Sequence, residues 1–123
     1  MRDDIFFFDT YAFFEIIRGS LPYAKYQNSI AITTIFNLAE LNYGLKKEIN
    51  EKIADELTEK YRTYLVEPTL DDIKKAMSLK RKFRHLSIPD CVGYIVAKRH
   101  RVKFLTGDED FRHLDNVEFV KKV

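Results

Sequence analysis

Apolar positions along the chain switch between two periods. Ile5-Phe6-Phe7-Phe8 is an unbroken apolar run that ends at Asp9-Thr10. It is too short for a helix and reads as a strand covered on both faces. From Tyr11 to Arg18 the spacing becomes helical, with Phe13, Phe14, Ile16 and Ile17 as the apolar set and Gly19 as the stop. Ser20-Leu21-Pro22 marks a turn or the start of a short helix. Ser29 to Thr33, rich in β-branched residues, is a second strand. Thr34 is a natural cap for a helix from Ile35 to Lys47. The charged stretch from Lys46 to Tyr64 carries Ile49, Ile53, Leu57, Tyr61 and Tyr64 at intervals of three or four, which predicts an amphipathic surface helix.

Leu65-Val66 follows as a brief third strand cut off by Pro68. Thr69-Leu70-Asp71-Asp72 resembles a capping box, and Leu70, Ile73, Met77, Leu79, Phe83 and Leu86 form the buried stripe of the helix it opens. The basic end of that helix, Lys80-Arg81-Lys82-Arg84, complements the negative pole of its dipole. Pro89 suits the first position of another helix, which runs through Asp90, Val92, Ile95 and Val96 to His100. Lys103 to Thr106 is a fourth strand. Gly107-Asp108-Glu109-Asp110 is a turn into a short helical segment, and Val117 to Val120 closes the pattern as a fifth strand. Short strands alternating with helices predict an α/β protein, a three-layer α/β/α sandwich with a mainly parallel sheet of about five strands.

Composition narrows this reading. With 123 residues, 46% hydrophobic and 33% charged, the chain is expected to fold as a single domain over residues 1–123. Cys91 is the only cysteine, which excludes an intramolecular disulfide and fits a reducing cytoplasm. The sequence contains no apolar run near the ~20 residues of a membrane helix. Met1-Arg2-Asp3-Asp4 carries two acids where a secretory leader is basic, so export is not expected.

Candidate chemistry lies in the acids. Asp9 falls at the carboxyl end of the first strand, and Asp108 and Asp110 fall just beyond the fourth. Parallel sheets bind ligands at that edge. Asp90 opens a helix, and Glu40 sits inside one among Ile35, Leu38, Ala39, Leu41 and Leu45. Those neighbours predict a partly buried carboxylate in need of a cation. Each acid also has an ordinary structural explanation: Asp9 and Asp90 as helix-start residues, Asp108 and Asp110 as turn residues. If the five converge, the remainder has 14 acids against 21 Lys and Arg, a formal +7. A basic body around an acidic hole suits a polyanion whose phosphates meet a metal.

The motifs around these acids resemble those of PIN-domain ribonucleases of the VapC toxin type. Phe8-Asp9-Thr10 resembles the family's opening motif, and Thr33 to Leu45, with Glu40 before Leu41-Asn42-Tyr43-Gly44, resembles its internal helix. Ile88 to Ala97, with Asp90, and Leu105-Thr106-Gly107-Asp108-Glu109-Asp110-Phe111 resemble its third and fourth motifs. The resemblance implies an endoribonuclease in which Asp9, Glu40, Asp90, Asp108 and Asp110 hold Mg2+ or Mn2+, leaving a 5′-phosphate and a 3′-hydroxyl. It also implies an RNA substrate, an antitoxin protein as partner and a homodimer. A few of Phe13, Phe14, Tyr23 and Tyr26 would then serve as a dimer or antitoxin surface, the rest as core.

Neighbouring residues invite plainer readings. Thr10, Thr106 and Asn37 are placed to orient ligands or water, although caps and strand threonines explain them more simply. Cys91 reads as a small buried hydrophobe. His85, His100 and His113 lack common ligand spacing and read as surface residues. Lys98-Arg99-His100-Arg101 suits RNA phosphates, but a basic helix end is the more ordinary reading. Among rivals, a phosphoacceptor signalling domain needs an Asp after its third strand, where this chain has Val66-Glu67-Pro68. A haloacid-dehalogenase phosphatase needs Asp-x-Asp, where it has Asp9-Thr10-Tyr11. A PIN fold that binds RNA or a partner without cutting is the stronger alternative.

Overall fold

The computed structural model describes residues 4–122; the Met1-Arg2-Asp3 start lies outside them. Its strands are β1 (Ile5–Phe8), β2 (Ile30–Ile32), β3 (Lys103–Thr106) and β4 (Val117–Phe119). They form one parallel sheet in the order β2-β1-β3-β4. The helices are α1 (Thr10–Arg18), α2 (Ile35–Glu48), α3 (Glu51–Lys60), α4 (Leu70–Lys82) and α5 (Ile88–Arg99). Three short 3-10 turns, Leu21–Tyr26, Arg62–Tyr64 and Glu109–Phe111, complete the regular structure. No helix among the described residues is long and apolar enough to cross a membrane.

The period-two geometry of β1 explains the layers. Phe6 and Phe8 enter a core with Phe13 of α1, Tyr23, Leu38, Leu41 and Leu45 of α2, and Tyr61. Phe7, on the opposite face, joins Phe104 and Phe111 and the α5 residues Val92 and Val96. Successive side chains of a strand point to opposite faces, so a four-residue phenylalanine-rich strand serves two cores. Phe7 stacks on Phe104 of β3 at 5.3 Å between ring centroids. Gly93 lets α5 settle against this pair, since a Cβ there would lie 2.9 Å from the Phe7 ring.

Two expected elements differ. Leu65 makes only a single parallel bridge to Thr33, so the sheet has four strands and not about five. The preceding 3-10 turn and Pro68, which has no N–H to donate, leave no length for a ladder. The single helix expected over Lys46–Tyr64 is broken. α2 ends at Glu48, and Asn50 caps α3 by accepting from Ile53 N–H at 2.8 Å. Of its apolar stripe, Ile49 and Ile53 are exposed, whereas Tyr61 is buried and Leu57 and Tyr64 pack against the core, joined there by Ala54. Leu70, expected in the buried stripe of α4, is 71% exposed because it occupies the first turn. Phe83 and Leu86 follow the end of α4 and pack from the connecting segment.

The order of the strands creates the site. The chain leaves β1 for β2 on one side and later returns to place β3 on the other. Between the carboxyl ends of β1 and β3 the connections diverge, which is the place where parallel sheets bind ligands.

Candidate functional site

Asp9 stands at that divergence and is only 4% exposed. Its Oδ1 accepts from Ala12 N–H at 2.8 Å, capping α1. Its Oδ2 accepts a short bond from the Thr106 hydroxyl at the end of β3. The two central strands are therefore joined at their tips through this carboxyl. Burial pushes the Asp9 carboxyl up to about 8, against the lowering effect of its two hydrogen bonds, and the nearby charges of Asp90 and Asp108 push it further up.

Thr106 has a second bond. Its Oγ accepts from Asp108 N–H at 3.0 Å, which fixes the first residue of the acidic turn relative to Asp9. Asp108 Oδ1 in turn accepts from Asp110 N–H at 3.0 Å and caps the 3-10 turn that buries Phe111. Gly107 makes this connection feasible, because a Cβ there would fall 2.5 Å from the Val120 carbonyl oxygen. Asp108 is half-buried and Asp110 is exposed.

Asp90 reaches the site from α5. Ser87 caps this helix and Ile88 opens it, so Pro89 takes the second position and not the first; Ser87 Oγ accepts from Asp90 N–H and Asp90 Oδ2 from Ser87 N–H, both at 3.1 Å. This reciprocal pair holds one carboxylate oxygen at the helix start. Burial raises the Asp90 carboxyl, its bonds to Ser87 lower it, and Asp108 and Asp110 raise it again. Ser87-Ile88-Pro89-Asp90 is itself a Ser-x-x-Asp capping pattern, the signal by which Ser87 is legible in sequence.

Glu40 departs from expectation. It is exposed, since Ile35, Phe36 and Ala39 of α2 also face solvent and only Leu38, Leu41 and Leu45 enter the core. It is nonetheless anchored beside Asp9, because Thr10 Oγ donates to Glu40 Oε1 at 2.9 Å. Although the residue is exposed overall, desolvation of its carboxyl group raises it, the Thr10 bond lowers it and the charge of Asp90 raises it. Asn37 is buried in the cap of α2, where its Oδ1 accepts from Thr34 Oγ at 2.8 Å.

The five acids thus form a chain of electrostatic neighbours at one edge of the sheet. Asp9 senses Asp90 and Asp108, Asp90 senses Asp108 and Asp110, and Glu40 senses Asp90. None of the five is ion-paired to Lys, Arg or His among the described residues. The grouping is open, however. No set of three or more His, Cys, Asp or Glu among the described residues is close enough to form a ready metal shell.

Other candidates resolve as ordinary structure. Cys91 is fully buried. Lys98 pairs with Asp115, and Arg99 makes a two-point contact to Asp72 at 3.0 and 2.9 Å, so the basic end of α5 is engaged within the chain. Phe13, Tyr23 and Tyr26 are buried, and Arg18 lies over the Phe14 ring at 5.0 Å. These aromatics belong largely to the core.

Fold and site together define a parallel-sheet α/β protein with carboxylates gathered at its switch point. The PIN domain family model matches residues 6–117, and the chain belongs to that family. No curated protein matches it in sequence. Among solved structures, a chain of a toxin–antitoxin complex from Klebsiella pneumoniae is similar at 18% identity and a TM-score of 0.75, covering 95% of this chain and 98% of that one. A chain of DNA-bound VapBC from Salmonella typhimurium is similar at 17% identity and a TM-score of 0.72, covering 98% of each. A chain of VapBC2 from Rickettsia felis, bound to a promoter DNA fragment, has 14% identity and a TM-score of 0.71, covering 97% of this chain and 99% of that one.

Proposed function

We propose that this chain is a divalent-metal-dependent endoribonuclease of the VapC type, formed by residues 1–123 as one nuclease domain. It works in the cytoplasm as the toxin of a toxin–antitoxin pair, with an antitoxin protein as partner and a homodimer as its assembled form. The observation that carries this reading is Asp9, buried at the switch point with no cationic partner among the described residues and in the field of Asp90 and Asp108. Without a cation, like charges gathered in this way hold protons that a divalent ion would displace. The donor set is all oxygen, which suits Mg2+ or Mn2+.

Asp9, Asp90 and Asp108 would hold the ion, with Asp110 and Glu40 in direct or water-bridged support. When bound, such an ion activates water at neutral pH and neutralises charge developing on a phosphodiester. The chain's own residues prepare that chemistry. Thr106 fixes Asp9 and the Asp108 backbone in one register. Ser87 holds one oxygen of Asp90, leaving the other for the crevice. Thr10 keeps Glu40 at the crevice mouth. The products would carry a 5′-phosphate and a 3′-hydroxyl. The antitoxin assignment draws on fold likeness to chains from toxin–antitoxin complexes, and the homodimer on the family resemblance alone.

A PIN fold that binds RNA or a partner without cutting is the second reading, favoured by the open spacing of the acids. Incubating purified protein with mixed RNA in Mn2+, with and without excess chelator, separates the two. Cleavage should require the metal and fall by about 100-fold or more in Asp9→Asn and Asp90→Asn, the scale of losing about 3 kcal/mol of transition-state stabilisation. Metal-independent cutting, or full activity in either variant, would overturn the nuclease assignment.

A further inference from the structure

A second charged feature lies beside the acidic crevice. α4 ends in Lys80-Arg81-Lys82 and the chain continues through Phe83, Arg84 and His85 before Ser87 starts α5. None of Lys74, Lys75, Lys80, Arg81, Lys82 and Arg84 has an acidic partner among the described residues. The contrast with α5 is informative, because its cations are spent on Asp72 and Asp115. Here Lys80 is used to brace the backbone, and Arg81, Lys82 and Arg84 carry no ion pair among the described residues.

The connection is shaped rather than slack. Lys80 Nζ donates to Leu86 O at 2.7 Å and to Arg84 O at 3.3 Å, so one ammonium clamps two of the elbow's carbonyls. Leu86 is fully buried beneath it, while Arg84 and His85 remain exposed. Arg84 also lines a cleft of about 560 Å³ with Met77, Ser78, Lys80 and Arg81. On its other side the elbow touches the acidic turn, with His85 Nε2 3.4 Å from the Asp110 carbonyl oxygen. A basic segment therefore runs from the cleft through Arg84, and the adjoining His85 places it at the edge of the acidic turn.

We infer that the α4–α5 elbow, with Arg81 and Arg84 as its principal contacts, binds the phosphate backbone of single-stranded RNA and leads it to the acidic crevice. Arginine suits this role because its planar guanidinium meets phosphate oxygens in pairs. The geometry also answers an electrostatic problem. A bare cluster of acids repels a polyanion, and a row of free cations next to it offsets that repulsion and orients the strand. Arg81 and Arg84 act as positioning residues and take no part in bond cleavage. The assignment deepens the nuclease reading above, but it can be tested apart from it.

The test is binding of a fluorescent 20-nucleotide polyuridine, read by anisotropy in EDTA across a salt series, so that no cleavage is needed. In Arg81→Gln/Arg84→Gln the affinity at low salt should fall about tenfold or more, and the log–log salt slope should shrink by about 1.4, near 0.7 per lost phosphate contact. Lys47→Gln/Lys52→Gln, which removes the same charge from the opposite layer, should keep the wild-type slope. Arg81→Lys/Arg84→Lys should restore most of it. With Mn2+ and cleavable RNA, the Gln variants should raise KM more than they lower kcat. An unchanged slope in the elbow variant, an equal loss in the Lys47/Lys52 control, or no RNA binding by the wild type would overturn the elbow assignment. If wild-type protein binds through the elbow yet never cuts, the nuclease reading fails while this one stands.

Discussion

Thr106 sits between two groups that need it in opposite senses: its hydroxyl donates to Asp9 and accepts from the Asp108 backbone. Valine at this position keeps the shape of the side chain and removes both bonds. Thr106→Val should lower unfolding free energy by about 1–3 kcal/mol, the cost of leaving buried polar atoms unmade. It should also weaken Mn2+ affinity by about 10–100-fold, as is typical when a residue supporting a metal ligand is lost. Thr106→Ser should retain most of both, as read by urea denaturation and metal titration; a Val variant with wild-type affinity would remove Thr106 from the site. The sequence places Thr106 at a strand end but not across from Asp9. That pairing depends on β1 and β3 being neighbours although nearly a hundred residues separate the two side chains. Glu40 was harder still to read. Its apolar neighbours suggest burial, yet several of them face solvent, and Thr10 alone keeps the carboxylate at the site.

Among the elements, α4 and α5 are joined by a pair that neither helix reveals alone. Asp72 takes part in the capping box of α4 and also accepts both contacts from Arg99 near the end of α5. Burial pushes its carboxyl up, but Thr69 N–H and the Arg99 guanidinium together outweigh that and hold it below the usual range. An unfolded aspartate titrates near 3.9, so the folded form gives up its proton at lower pH. The stabilisation is then complete above about pH 4 and disappears as pH falls through the folded value. Asp72→Ala should cost about 2 kcal/mol at neutral pH, through loss of the cap and of a partly screened charge contact. The deficit, measured by urea unfolding, should narrow below about pH 4; a deficit constant with pH would contradict the ionic account.

Element identities were largely legible because strand and helix periods differ and the caps Asp9, Thr34 and Thr69 stand where their helices begin. What escaped was punctuation. Asn50 breaks what apolar spacing alone reads as one long helix, and Ser87 starts α5 one residue earlier than Pro89 suggests. Both are short side chains whose effect is local hydrogen bonding, which hydrophobic periodicity does not register.

Across the whole molecule, the distribution of charge carries the functional argument. A formal charge of +2 hides an acidic crevice and a basic elbow that lie side by side. The parallel sheet sets the crevice by bringing the tips of β1 and β3 together, and α5 and the Asp108–Asp110 turn supply the remaining acids. Linkage then makes metal binding and stability one property, because an ion that binds only the folded chain raises its melting temperature. The most direct test of the account is calorimetric titration of Mn2+ into the purified protein, its Asp9→Asn and Asp90→Asn variants, and Asp71→Asn, an exposed acid on α4, as control. Saturable binding in the wild type and in Asp71→Asn, weakened about tenfold or more in the two site variants, is the predicted result. Equal binding in all four proteins, or none in the wild type, would contradict it.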